Sequence, residues 1–192
     1  MAYNSCTSVT LSSIDARCEG SVGGIKEIYV IDSDDVASVE VSTTDNPDEK
    51  ITAITLSGTD KLFQKWLFRP NTSSYTSTRS GDLTTGNSTV TTDVALQFSK
   101  AEAGKRLAIQ SAINAGCVII IKDMYGQYLL LGKAADGEGR QEVYVTDAVM
   151  QSGTATSDLS GFTLTFEEIA STFPHFIDTE KVDIDSLVAP LA

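Results

Sequence analysis

The chain holds one histidine, His175, which follows Phe173-Pro174 near the C-terminal end. A catalytic triad or a metal centre needs an imidazole positioned by a second group on a rigid element, and this short segment supplies none. A surface or interface histidine is the expectation. Zinc fails on ligand spacing: Cys6 and Cys18 are widely separated, and no Cys-x-x-Cys or His-x-x-x-His pair completes a tetrahedron. Asp32, Asp34 and Asp35 crowd one turn as calcium ligands do. The glycine and closing glutamate of an EF-hand loop are missing, so solvated turn carboxylates are expected. Gly132-Lys133 and Gly137-Glu138-Gly139 share only composition with phosphate loops, since no Gly-Lys-Ser/Thr precedes a helix there. Glu167 and Glu168 are adjacent on a strand and face opposite ways, which spoils a glycosidase pair. Phe63, Trp66 and Phe68 offer either a sugar-stacking platform or a core anchor, and the core anchor is favoured. No catalytic, cofactor or metal site is assigned, and the chain reads as a non-enzyme.

Charge narrows the field further. The 26 acidic against 14 basic residues give a net charge of −12. Gripping a phosphate backbone needs clustered Lys and Arg, so tight nucleic-acid binding is disfavoured. The same charge suits simple solubility, or a surface past which nucleic acid slides. No run approaches the ~18 apolar residues of a membrane span, and residues 1–15 lack the basic and apolar regions of a signal peptide. Production in the cytoplasm, or packing into something assembled there, is expected, with no membrane partner. Cys6, Cys18 and Cys117 cannot all pair within one chain and are expected to be reduced.

The elements that would position any site are mostly strands. Residues 1–24 are small and polar and read as an N-terminal arm; residues 25–170 read as a single β domain; residues 171–192 read as a C-terminal arm. Ile25–Ile31 is the first strand, ended by the Asp32–Asp35 turn, and Val39–Ser42 is a second. Ile51–Leu56 and Leu62–Phe68 flank Ser57-Gly58-Thr59-Asp60 as a hairpin is flanked. Residues 71–88 are rich in Ser, Thr, Gly and Asn. They form either two polar strands around Ser80-Gly81 or a long loop that orders against a neighbouring subunit. Val90, Thr92, Val94, Leu96 and Phe98 share one face of a half-buried strand. Ser99-Lys100-Ala101-Glu102 fits a capping box that opens a helix over 99–114, with Leu107, Ile109 and Ile113 on its apolar side and Gly116 as its stop. Cys117–Ile121 and Gln127–Leu131 form an apolar hairpin around Lys122-Asp123-Met124-Tyr125-Gly126, and its gapless hydrophobicity predicts burial on both faces. Val143–Met150 and Phe162–Phe166 are the last strands. Val182, Ile184, Leu187 and Val188 are spaced through acidic residues, as in an arm that adds to a neighbour's sheet edge or in a frayed tail.

The order of a Thr-rich strand, the helix after Ser99, the hairpin around Met124-Tyr125, and the ending Gly161-Phe162-Thr163-Leu164-Thr165-Phe166-Glu167-Glu168 resembles the tail-tube family of bacteriophages and contractile injection machines. The opening Gly23-Gly24-Ile25-Lys26-Glu27-Ile28-Tyr29 is similar to virion proteins of phages that infect Bacteroides-type bacteria. The resemblance implies a β-sandwich or half-barrel with one flanking helix. It also implies six copies closing into a ring, and rings stacking into a tube through which DNA leaves without sequence-specific binding. Other tail or neck proteins would be partners, and the virion tail the location. Tyr75, Arg79, Leu83, Phe173, Phe176, Ile184 and Leu187 are the expected interface residues between copies. A tail terminator, a neck or capsid-decoration protein, or a carbohydrate-binding β-sandwich module are the alternative readings.

Overall fold

The computed structural model describes residues 23–42, 49–69, 71–81, 87–135, 139–155 and 158–190. The chain is mainly β, as the alternating and gapless apolar runs predict, and its strands build a sandwich with a third partial layer. The central layer is a five-stranded sheet. Its middle strands are β1 (Ile25–Asp32) and β7 (Cys117–Asp123), paired antiparallel. Outside β1 lies β4 (Gln64–Trp66); outside β7 lie β8 (Tyr128–Leu131) and then β11 (His175–Phe176). On one face, Ile28, Val30, Ile119 and Ile121 enter a core with Val94, Leu96, Phe98, Phe162, Leu164 and Phe166. On the other, Tyr29, Ile31, Val118 and Ile120 enter a second core. Strands buried on both sides have no polar alternation to show, which is why β7 reads as an unbroken apolar run.

The second layer is a four-stranded antiparallel sheet in the order β5 (Ser74–Gly81), β6 (Ser88–Ser99), β10 (Gly161–Ala170), β9 (Tyr144–Gln151). The period-two pattern of β6 and β10 places their apolar residues inward in matched register, Phe98 opposite Phe162 and Leu96 opposite Leu164. Residues 74–81 are therefore strand rather than part of a long loop. Ser77 and Thr92 meet by a hydroxyl contact of 2.9 Å, and Tyr75 is drawn over the first core, which supplies the apolar area that the polar segment lacks by itself.

The third layer is the hairpin of β2 (Val36–Val41) and β3 (Ile51–Leu56), completed by the C-terminal segment. Here the sequence expectation of a hairpin between Ile51–Leu56 and Leu62–Phe68 is corrected. β3 pairs with β2, while β4 joins the central sheet against β1, with Val30 opposite Gln64. Phe63 at the crossing point is fully buried in the second core.

Helix α1 (Ala103–Asn114) closes one end of the sandwich. Its capping box does not form: the N-cap is Glu102 without a side-chain cap bond, because Ser99 is the last strand residue of β6, opposite Gly161. Glu102 instead pairs with Lys100 and Lys105. The buried stripe is Ile109 and Ala112, with Leu107 63% exposed. Two residues apart on a helix is about 200° of rotation, so Leu107 and Ile109 cannot share a face.

The C-terminal residues do not form an arm detached from the domain. β11 adds to β8, Ile177, Val182 and Ile184 pack into the second core, and a last short helix α2 (Ile184–Leu187) leads to Val188, which bridges to Phe63. The segment thus crosses the outer face of the central sheet from one edge to the other.

Candidate functional site

Among the described residues, no three His, Cys, Asp or Glu side chains converge as a metal centre would require. Two carboxylates of the Asp32–Asp35 turn have partners within the molecule. Asp32 accepts from the Asp34 amide at 3.1 Å, and Asp35 pairs with Lys61 at 3.0 Å. His175 is half-buried on the edge strand β11. Cys6 and Cys18 lie outside the described residues. Cys117 is buried, and burial pushes its thiol up to about 11, so it is a packing group rather than a nucleophile.

Two ionised clusters are built into the sheets. Glu27 receives the Tyr29 hydroxyl at 2.6 Å and pairs with Lys65 at 3.0 Å and Lys122 at 3.9 Å. Burial pushes its carboxyl up, but Tyr29, Lys65 and Lys122 outweigh that and hold it below the usual range. Burial and the same carboxylate push the Tyr29 phenol up. Contact with Tyr128 raises Lys122, whose ammonium lies 4.9 Å from the Tyr128 ring centroid. Glu27, Tyr29 and Lys122 are each driven deeper into their ordinary charge states, so none of the three is poised to exchange a proton near neutral pH.

The other cluster centres on Glu168, whose side chain is fully buried. Arg140 pairs with it at 2.8 Å, and the Gly132 amide donates to it at 2.6 Å. Arg140 also donates to Thr172 Oγ1 at 3.2 Å and to the Phe173 carbonyl at 2.9 Å, fastening the turn that leaves β10. Burial pushes the Glu168 carboxyl up, while Arg140, the Gly132 amide and His175 pull it back. Gly132 is required there: its φ is +90°, and a Cβ would lie 2.3 Å from the Cys117 carbonyl. Reading Glu167 and Glu168 as facing opposite ways is correct, since Glu167 points outward. The buried pair itself was missed. Its signal was present, because the alternation Phe162, Leu164, Phe166, Glu168 puts a carboxylate on the buried face, where it demands a cation.

The expected interface residues divide. Arg79 is exposed on β5, Tyr75 is half-buried against the first core, and Phe173 and Phe176 are exposed beside the Arg140 turn and on β11. Ile184 is buried in the molecule's own second core, and Leu187 packs against it. Leu83 lies outside the described residues. Trp66 is half-buried, edge-on to Phe98 with ring centroids 5.7 Å apart, and so is not a flat ring laid open to a sugar.

What remains open is the four-stranded sheet. Its two outer strands, β5 and β9, are eight residues each, and among the described residues each pairs on one side only. Neither contains proline or lysine, the residues that usually blunt a sheet edge. Its outward face shows Ser and Thr from β5, Thr91, Asp93 and Gln97 from β6, Thr163, Thr165, Glu167 and Ile169 from β10, and Asp147 and Val149 from β9. No Lys or Arg stands on that face among the described residues, and Asp93 lies directly opposite Glu167. The candidate site is therefore a surface, the open sheet of a mainly β sandwich. Compared with protein-family models, with curated proteins and with solved structures, the chain matches none.

Proposed function

We propose that this chain is a structural virion subunit, the tail-tube protein of a bacteriophage, whose copies close into hexameric rings that stack into a conduit for DNA. The observation that supports this reading best is the four-stranded sheet, which among the described residues has two open edges and an outward face without cations. Pairing β9 of one copy with β5 of the next satisfies both edges and covers the exposed Val149 and Met150. Continued around a ring, the same pairing turns the outward faces into one acidic lining. Such a lining repels phosphates and leaves DNA free to slide.

Like charges directly opposite on neighbouring strands destabilise a sheet, so Asp93 and Glu167 are a cost that a lumen would explain. Glu167→Lys should raise the urea midpoint of the isolated protein slightly, with a gain that shrinks on adding salt. It should also make assembled particles retain DNA that the unmodified ones release. Electron microscopy of concentrated protein in negative stain tests the assembly itself. Stacked tubes are expected. Single rings that never stack would favour the terminator or neck reading, and a monomer at every concentration would sink both.

A further inference from the structure

We infer that the tip of the β7–β8 hairpin of one copy docks into the cleft between β4 and α1 of the next, joining copies head to tail along the strand direction. This deepens the assembly reading, which supplies the second copy. The tip is Met124-Tyr125, 41% and 57% exposed, on a turn that the Asp123 carboxylate fixes by accepting from the Tyr125 and Gln127 amides, each at 2.8 Å. A knob held this firmly loses little freedom on docking.

The cleft has a volume of about 310 Å³. Its walls include Leu62, Trp66, Ala108, Ala112, Ala115 and Cys117. A single strand connects the two features: β7 begins at Cys117 in the cleft and ends at Asp123 below the tip. Seven residues of strand span about 20 Å, so a molecule cannot fill its own cleft with its own tip. A surface that fits a different surface of the same molecule makes a heterologous contact, which propagates instead of closing as a two-fold dimer.

Charge separates along the same axis. The cleft rim carries Asp32, Asp35 and Asp60 with one lysine, Lys61, already paired to Asp35. Around the tip stand Lys26, exposed at the start of β1, and Arg69, exposed where the chain runs from β4 back towards Ile25, while Lys122 at the end of β7 is taken up by Glu27. Of the carboxylates at that end, Glu27 is paired with Lys65 and Lys122, Asp123 accepts from the amides of its own turn, and Asp185 is near enough to raise Lys122. In a chain of net charge −12, two exposed cations beside the tip, Lys26 and Arg69, opposite an acidic cleft rim are the complementarity that orients a second copy.

Cysteine trapping tests the contact on the full chain with Cys6→Ser and Cys18→Ser, leaving buried Cys117 in place. Tyr125→Cys protein is mixed with Ala108→Cys protein under mild oxidation, and in parallel with Ala37→Cys protein, whose cysteine is exposed on β2. Docking raises the effective concentration of the two thiols, so the tip-to-cleft disulfide should form about ten-fold faster than the control. Lys26→Glu on the tip copy should slow it, and Asp60→Lys on the cleft copy should restore it. Equal rates for cleft and control overturn the inference. Microscopy of the same protein keeps the two readings apart. Tubes without selective trapping overturn this contact and leave the assembly standing; selective trapping without rings or tubes upholds the contact and removes the tube.

Discussion

Replacing Arg140 with methionine is expected to destabilise the fold by about 3–5 kcal/mol, because it leaves the Glu168 charge buried without its partner. Both side chains are out of water, Glu168 at 0% and Arg140 at 1% exposure. The guanidinium also holds the Thr172 side chain and the Phe173 carbonyl, so the turn into the C-terminal segment loosens with it. A double replacement, Arg140→Met with Glu168→Leu, removes the charge as well as its partner and should recover most of the loss. The pH dependence has a definite sign. Burial already pushes the Glu168 carboxyl up, and without Arg140 its main opponent is gone, so it rises further. A glutamate whose folded pKa exceeds its unfolded value contributes stability that is present below the unfolded value and lost as pH climbs through the folded one. The deficit of Arg140→Met should therefore be larger near about pH 8 than near about pH 5. Urea unfolding at the two values measures it, and a deficit that grows on acidification would show that Glu168 stays ionised by other means.

The contrast between what the sequence announces and what it hides follows from the range of the interactions. β6, β7, β8 and β10 are legible because their patterns are local: alternation where one face is wet, an unbroken apolar run where neither is. The Asp32–Asp35 turn is legible for the same reason, since its carboxylate caps its own backbone. Pairing is not local. Ser57-Gly58-Thr59-Asp60 has the composition of a hairpin turn, yet nothing in it says that the following strand will cross to β1 instead of returning to β3. The capping box failed through competition, since the Ser99 backbone was claimed by the β6–β10 ladder. At the candidate surface, the acidic and Thr-rich outward face follows from alternation alone. The cleft does not, because it exists only where α1 and β4, far apart in sequence, are brought together.

The C-terminal segment gives the sharpest distinction between a part of the fold and a part of the assembly, since its spaced apolar residues suit either. Ending the chain after Ser171 is expected to abolish cooperative folding. It removes β11 from the edge of the central sheet and takes Ile177, Val182 and Ile184 out of the second core. Burying three such side chains is worth together on the order of 4–9 kcal/mol, comparable to the whole stability of an ordinary domain. The truncation also strips the backbone bonds between Phe63 and residues 187 and 189, at 2.9 Å each. It would leave Tyr29, Ile31, Val118 and Ile120 with far less cover. Point changes refine the expectation. Ile184→Ala, a truncation at a site 5% exposed, should cost about 2–4 kcal/mol, whereas Phe173→Ala, at a side chain open to solvent, should stay within about 0.5 kcal/mol. Near-ultraviolet circular dichroism and urea unfolding of the shortened chain decide the matter. A folded monomer with an unchanged midpoint would mean that these residues serve a neighbouring copy, and that their place on the molecule's own sheet is one of two they can take.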